Sequence, residues 1–192
     1  MTRGQTVEKE APANPRYPRR VRWLHWLMAG IILGMLAVGF TMVHLIDDKV
    51  PIKFAWLYPY HKSFGMLVLI LVLIRLAVRR SARLPGMPQS LSPWERRLAK
   101  AAHVALYSLM ILVPLMGYSL SSSFTQSDGV YFFGVNLPEL LPKNDARFAV
   151  FDRLHAILAY TLLALIVLHV LGALKHRFLD RDRDGDVLSR ML

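Results

Sequence analysis

Four long apolar runs constrain this chain more than any other feature of its sequence. They extend approximately over Trp23–Leu45, Tyr60–Val78, Ala102–Ser122 and Leu154–Leu174. Because a helix needs about 20 apolar residues to cross a bilayer, each run is long enough to span a membrane. Charged residues make up only 19% of the 192 residues, against roughly a quarter in soluble domains. The sequence therefore predicts an all-α integral membrane protein, a bundle of four transmembrane helices.

Basic residues are distributed unevenly along the chain, which has a net charge of +11. Eighteen of the 24 lysines and arginines lie before the first run, around the turn between the second and third runs, or after the fourth. Because cytoplasmic loops are enriched in basic residues, this asymmetry predicts that both termini are cytoplasmic. The positive charge is thus interpreted as a topology signal, and no nucleic-acid partner is expected.

The segments outside the spans predict three divisions of the chain. Residues 1–20 form a flexible cytoplasmic tail, residues 21–179 the four-helix membrane domain, and residues 180–192 a charged cytoplasmic tail. Within that tail, the run from Asp180 to Asp186 is interpreted as solvated and charge-paired. Ser92 or Ser90 is expected to cap a helix that begins near Pro93 and runs into the third span. The outer loop from Ser123 to Asp152 is the longest, and its alternating stretch permits a short hairpin.

The chain contains seven histidines and no cysteine. The absence of cysteine excludes disulfides, iron–sulfur clusters and covalent haem attachment. Ionisable residues inside a span are energetically costly, so the histidines are functional hypotheses. His155 and His169 are 14 residues apart in the fourth run, which places them on one helix face, about 40° apart around the axis and about 21 Å apart along it. Two haems, one near each membrane surface, require this arrangement.

Each haem iron then needs a second axial ligand from a facing helix. The topology places His25 near the inner surface with His169, and His61 near the outer surface with His155. The sequence therefore predicts two haem b groups per chain, with His25 and His169 as inner and His61 and His155 as outer axial ligands. The alternative for any one histidine is a hydrogen bond to a neighbouring helix.

Several other residues fit two haems inside the bundle. Arg75 is 14 residues after His61 and Arg22 is one turn before His25, so both are expected to contact haem propionates. Small residues allow a helix backbone to approach a flat macrocycle, which makes Gly65 and Gly172 candidates for haem packing. Gly30 and Gly34 form a small-residue motif that serves either haem or helix packing.

His103 and His176 remain near the inner surface. A quinol needs proton acceptors as it loses electrons, and histidine titrates in a suitable range. We therefore expect these two residues at a quinone site; the alternative is that they contact head groups or haem propionates. A zinc site built from His25, His103 and His169 and a haem-free metal transporter remain as further alternatives.

The motifs around these histidines resemble the bacterial cytochrome b561 family, which includes the cytochrome b subunits of nickel–iron hydrogenases. The resemblance covers roughly residues 17 to 192. It rests on R-W-L-H-W at His25, Y-H-K-S-F-G at His61, L-I-R-L at Arg75, A-A-H-V-A-L-Y-S-L at His103 and H-V-L-G-A-L-K-H-R-F-L-D-R-D from His169. The long outer loop departs most from the family pattern.

This resemblance implies a multi-pass protein of the bacterial inner membrane that transfers electrons between ubiquinone or ubiquinol and a periplasmic redox partner. If it is an enzyme, it is a quinone-linked oxidoreductase, and superoxide:ubiquinone oxidoreduction is one version. Lys49, Lys53 and Lys62 would form a cationic outer mouth for superoxide. The alternative is a non-catalytic membrane anchor of a larger dehydrogenase or hydrogenase. The sequence leaves the oligomeric state open.

Overall fold

Four long helices dominate the computed structural model, which describes residues 15–88, 90–127, 129–180 and 185–192. The helices are α1 (Arg19–His44), α2 (Tyr58–Ser81), α3 (Pro93–Ser123) and α4 (Asp145–Phe178). A π-helical turn, Lys53–Leu57, leads directly into α2. All four helices are long and apolar enough to cross a membrane. The predicted fold class is confirmed. The division into residues 1–20, 21–179 and 180–192 stays a prediction. Residues 1–14 of the first tail and 181–184 of the last lie outside the described residues.

Helix α3 begins where the sequence predicted, at Pro93. The hydroxyl of Ser92 accepts a hydrogen bond from the backbone N–H of Glu95 at 3.3 Å, and the Glu95 carboxylate accepts one from the backbone N–H of Ser92 at 3.0 Å. This capping box pairs two backbone N–H groups at the helix start. The polar first turns therefore continue into the apolar span without a break.

Helix α4 begins earlier than expected, so the predicted outer loop boundary at Asp152 is wrong. The side chain of Asn144 accepts a hydrogen bond from the backbone N–H of Arg147 at 2.9 Å, and Asp145 lies in the first turn, where a negative charge favours a helix. These first turns are polar and extend beyond the membrane-length apolar run. Hydropathy alone therefore placed the helix start too late.

The outer loop contains the expected hairpin. Strands β1 (Val130–Phe132) and β2 (Val135–Leu137) pair antiparallel. Phe133 and Gly134 connect them, with φ values of 45° and 96°, as a two-residue turn with both central φ angles positive requires. The hairpin packs on the outer end of α2, because the buried hydroxyl of Ser63 accepts a hydrogen bond from the backbone N–H of Phe133 at 3.0 Å.

The helices pack in series, α1 on α2, α2 on α3 and α3 on α4. A small apolar cluster joins all four near mid-height, and Leu162 is the single buried residue of the 34 in α4. Many large apolar side chains point outward, as expected where lipid replaces water as the solvent. The cluster consists of Met28, Ile32, Val68, Val72, Leu106, Leu109 and Leu162.

The last eight residues, 185–192, contact the cytoplasmic ends of the bundle and are called the C-terminal clasp here. Arg190 is buried, and its guanidinium donates to the carbonyls of Pro15 at 3.1 Å and Gly86 at 2.8 Å. The indole N–H of Trp26 donates to the carbonyl of Met191 at 2.8 Å. Residues 185–192 therefore pack against the bundle, because backbone carbonyls of two other segments bind Arg190.

Candidate functional site

His155 and His61 face each other at the outer end of the bundle. Their ring centroids are 6.2 Å apart, although α2 and α4 are not neighbours in the helix series. Nδ1 of His155 lies 2.9 Å from the carbonyl oxygen of Val113 in α3. An imidazole that donates from Nδ1 keeps the lone pair of Nε2 free for a metal.

His25 and His169 form a second pair at the inner end, between α1 and α4. Their ring centroids are 6.3 Å apart and the ring planes are 69° from each other. Trp26 packs edge-on against His25, with ring centroids 5.1 Å apart. The structure therefore brings together the two pairs that depth along the spans predicted; their role as haem ligands stays a prediction.

The spacing within each pair fits two imidazoles on one metal ion. With a metal–nitrogen bond of about 2.0 Å and roughly 1.1 Å from nitrogen to ring centre, opposed ligands have centroids about 6.2 Å apart. The observed separations of 6.2 and 6.3 Å match this value. Two axial histidines are an ordinary ligand set for a haem held inside a helical bundle.

Every helix contributes one residue to each layer, and the two residues are always 14 positions apart. A 14-residue interval is close to four helical turns, so both side chains point to the same side of the helix. The inner layer thus contains His25, Arg75, His103 and His169, and the outer layer contains Gly39, His61, Gly117 and His155. The intervals are His25 to Gly39 in α1, His61 to Arg75 in α2, His103 to Gly117 in α3 and His155 to His169 in α4.

Gly39 and Gly117 are the site residues that sequence reasoning missed. A Cβ atom on Gly117 would lie 3.1 Å from Cε1 of His155, and one on Gly39 would lie 3.3 Å from Cε1 of His61. Both glycines thus leave room for the imidazoles of the outer pair. The 14-residue interval from His25 and from His103 was the signal that could have identified them.

The glycines that the sequence suggested for haem or helix packing have no comparably close contact. A Cβ atom on Gly65 would meet Cε of Met35 at 3.6 Å, an ordinary contact. Gly30, Gly34 and Gly172 have no neighbouring atom within 4 Å of such a Cβ. The protein itself therefore gives these positions no steric reason to be glycine.

Arg75 is buried in the inner layer, with 7% of its surface exposed. It donates to the hydroxyl of Tyr107 at 3.0 Å and to the carbonyl of Val21 at 2.9 Å, and its Nη2 lies 3.4 Å from Nδ1 of His25. No carboxylate pairs with it among the residues that the structure describes. A buried guanidinium with only neutral partners is compatible with the predicted propionate contact.

Two further buried polar atoms belong to predicted site residues. Nε of Arg22 and Nδ1 of His61 are buried, and neither has a hydrogen-bond partner among the residues that the structure describes. Buried polar groups are normally paired, so each one requires an explanation. An anionic group near Arg22 would satisfy it, in agreement with the predicted propionate contact there.

His103 and His176 are placed differently relative to the inner pair. The ring of His103 lies edge-on to that of His169, with centroids 5.5 Å apart. Nδ1 of His176 lies 2.6 Å from the carboxylate of Asp180. Within the described ranges, no ring contact joins His103 to His176. Asp180 also contacts Lys175 at 3.2 Å, so His176 belongs to a charged cluster at the cytoplasmic end.

The predicted cationic outer mouth is only partly formed. Lys53 is 5% exposed, and its ammonium pairs with Asp48 at 2.6 Å and donates to the carbonyl of Ile46 at 3.0 Å. Its charge is therefore neutralised by Asp48 rather than presented to an incoming anion. The turn after α1, which contains Asp48, folds back over Lys53.

The zinc alternative finds no support in the geometry. Such a site needs three or four ligands around one point. In the part of the chain that the structure describes, no group of three histidine or acidic side chains could hold a metal ion. His103, His25 and His169 therefore do not form the predicted alternative site.

Comparison with known proteins identifies the family of this chain. The sequence model of the family described as prokaryotic cytochrome b561 matches residues 16–192. Cytochrome b561 homolog 2 of Escherichia coli is 35% identical over 88% of this chain and 86% of its own length. Probable superoxide oxidase CybB of Yersinia pestis is 26% identical over 88% and 91%, respectively. Cytochrome b562 of Cereibacter sphaeroides is 29% identical over 93% and 96%.

The family model covers all four helices and the positions of both histidine pairs. Membership implies that the chain binds haem b, which the paired imidazoles fit. With its four spans and bacterial relatives, the chain belongs to the prokaryotic cytochrome b561 family and is a multi-pass, electron-transferring cytochrome of the bacterial inner membrane.

Proposed function

We propose that this protein binds two haem b groups and transfers electrons between the membrane quinone pool and a redox partner at the periplasmic side. The observation that carries the proposal is the pair of imidazole layers with centroid separations of 6.2 and 6.3 Å. Haem supplies the one-electron chemistry, while the protein supplies ligation, spacing and electrostatic tuning.

In this proposal, His25 and His169 would hold the inner haem, and His61 and His155 would hold the outer haem. Arg75 and Arg22 would bind propionates of the inner haem, because both are cationic and at least partly buried at that depth. The carbonyl of Val113 would orient His155 through Nδ1. The outer hairpin lies over α2 next to His61, where it would limit access of water to the outer haem.

Quinone would bind near the inner haem, at the cytoplasmic side. His103 is exposed on the bundle surface and contacts His169, so it lies between the inner pair and the membrane. His176 is hydrogen-bonded to Asp180, which would orient its other ring nitrogen for proton exchange. We assign the removal of quinol protons to these two histidines.

Spectroscopy and haem analysis test the proposal directly. The purified protein should show b-type bands in a reduced-minus-oxidised spectrum and contain two haems per chain. His169→Ala and His61→Ala should each retain about one haem, because each removes one ligand from a different layer. A colourless protein, or one haem in the parent chain, would reject the proposal.

Reduction by ubiquinol tests the quinone assignment separately. His103→Ala and His176→Ala should slow reduction at unchanged haem content. His44→Ala is the matched control, because His44 is exposed and bonds to Tyr160 at 2.8 Å, far along α1 from the inner layer. Equal rates in all three variants and the parent would exclude the assigned site.

A superoxide:ubiquinone oxidoreductase is the enzymatic version of this layout. The relative from Yersinia pestis, named as a probable superoxide oxidase, supports it, while the neutralised Lys53 weakens the electrostatic argument. Haem reduction by a superoxide-generating system, abolished by superoxide dismutase, is the expected result. The rival reading, a membrane anchor for a larger dehydrogenase, predicts instead that a soluble partner co-purifies.

A further inference from the structure

The two histidine pairs differ in the charge of the group that lies next to Nδ1 of one histidine in each pair. In the outer layer, Nδ1 of His155 is 2.9 Å from the Val113 carbonyl, which can only accept a hydrogen bond. In the inner layer, the positively charged guanidinium of Arg75 lies beside the ring of His25, with Nη2 3.4 Å from Nδ1. The two layers therefore differ in the sign of the charge next to a ligand ring.

Surrounding charges increase this difference. Arg22 lies one turn before His25 and Arg79 one turn after Arg75, both at the inner end. At the outer end, Asp152 lies one turn before His155. Arginines thus flank the inner layer, whereas Asp152 and Arg153, two adjacent residues of opposite charge, precede His155.

Arg75 is fixed in its position by neutral groups. Nε donates to the Tyr107 hydroxyl at 3.0 Å and Nη1 to the Val21 carbonyl at 2.9 Å. Tyr107 is in α3 and Val21 in α1, so Arg75 connects three helices. No side-chain carboxylate within the described ranges pairs with it. Such a buried charge acts strongly on its surroundings, because little water screens it.

We propose that Arg75, positioned by Tyr107, makes the inner haem the higher-potential haem of the two. This inference rests on the proposed function. A buried cation favours the reduced iron, which carries one positive charge less than the oxidised iron. A histidine that donates to a carbonyl becomes a more basic ligand and favours the oxidised iron. At equilibrium, an electron that enters either haem would therefore reside mainly on the inner one.

The sign of the effect does not depend on a propionate contact. If a propionate pairs with Arg75, loss of the guanidinium leaves that anion uncompensated next to the inner iron. If none does, loss of the guanidinium removes the positive charge itself. Both cases lower the inner potential.

A spectroscopic redox titration tests the inference, with the outer haem as an internal reference. His61→Ala and His169→Ala first assign the two midpoints, because each variant keeps one layer. Arg75→Gln should reduce the ratio of reduced to oxidised inner haem by about tenfold or more at a given potential, equivalent to about 59 mV for one electron. The outer midpoint should move much less.

Two further variants separate the charge of Arg75 from its position. Arg75→Lys keeps the charge and should leave the inner midpoint close to that of the parent. Tyr107→Phe removes one hydrogen-bond partner and should lower the inner midpoint by less than Arg75→Gln does. Tyr118→Phe is the control, since its hydroxyl donates to the Pro138 carbonyl at 2.6 Å near the outer end.

Haem content is measured for each variant before titration. If Arg75→Gln fails to assemble, Arg75→Lys and Tyr107→Phe decide the question. An inner midpoint below the outer one in the parent overturns the inference, as does an inner midpoint that Arg75→Gln and Tyr107→Phe leave unchanged. These results would leave the two-haem function intact, whereas a chain without two haems would reject the function itself.

Discussion

The ring of His155 lies against the backbone of Gly117, where a Cβ atom would come within 3.1 Å of Cε1. The same ring lies 2.9 Å from the Val113 carbonyl, one turn earlier in α3. Pro114 lies inside this helix, between the two contacts. At both of these points, helix α3 contacts His155 through its backbone.

Gly117→Ala should displace His155 from this position. Overpacking of a close contact costs about 1–3 kcal/mol, so we expect partial loss of the outer haem and a lower melting temperature. Gly86→Ala is the control, because Gly86 lies in the linker between α2 and α3 and a Cβ atom there has no neighbour within 4 Å. Haem content per chain is the measurement, and full occupancy in Gly117→Ala would show that the ring tolerates the methyl group.

Ser63→Ala should loosen the outer hairpin. The buried hydroxyl accepts from the Phe133 N–H at 3.0 Å and donates to the Pro59 carbonyl at 2.9 Å. Its loss leaves the turn N–H unpaired, which costs about 1–3 kcal/mol. Hydrogen exchange at residues 130–137 should become faster in this variant and stay unchanged in Ser81→Ala, where the serine is exposed.

Arg190→Ala should release the C-terminal clasp. The buried guanidinium donates to two carbonyls and lies over the Tyr17 ring, 5.8 Å from its centroid. Hydrogen bonds from charged groups are worth about 1.5–3 kcal/mol each, so we expect a loss of about 2 kcal/mol or more in thermal unfolding. The surface pair of Arg177 with Asp186 is the comparison, since Arg177→Ala should cost under about 1 kcal/mol.

Asp180 should make the cytoplasmic end of α4 sensitive to acid. The hydrogen bond from His176 lowers the pKa of Asp180 below its ordinary value of 3.8. A carboxyl group whose pKa is lower in the folded than in the unfolded protein stabilises the fold at any pH above its unfolded-state pKa. This contribution is lost as the pH falls through the folded-state pKa. Asp180→Asn should therefore be less stable than the parent at neutral pH, and the difference should shrink below pH 3.8. A difference in melting temperature that is independent of pH would contradict this.

The sequence determined the number of spans, the start of α3 and the pairing of histidines by depth. Each of these depends on periodicity and length along one chain segment, which hydropathy and a 3.6-residue repeat express directly. The start of α4 was misplaced because its first turns are polar, and capping by Asn144 decided it instead.

Only the tertiary structure decided which groups surround the imidazoles. Arg75 contacts residues of α1 and α3, and Gly117 of α3 contacts His155 of α4. Arg190 is likewise buried by segments far from it in the chain. Such contacts depend on how helices tilt and approach each other, and a single segment carries no record of that geometry. The chain by itself thus determined which residues lie at each depth, because rise per residue is local, whereas packing between helices decided what each of those residues touches.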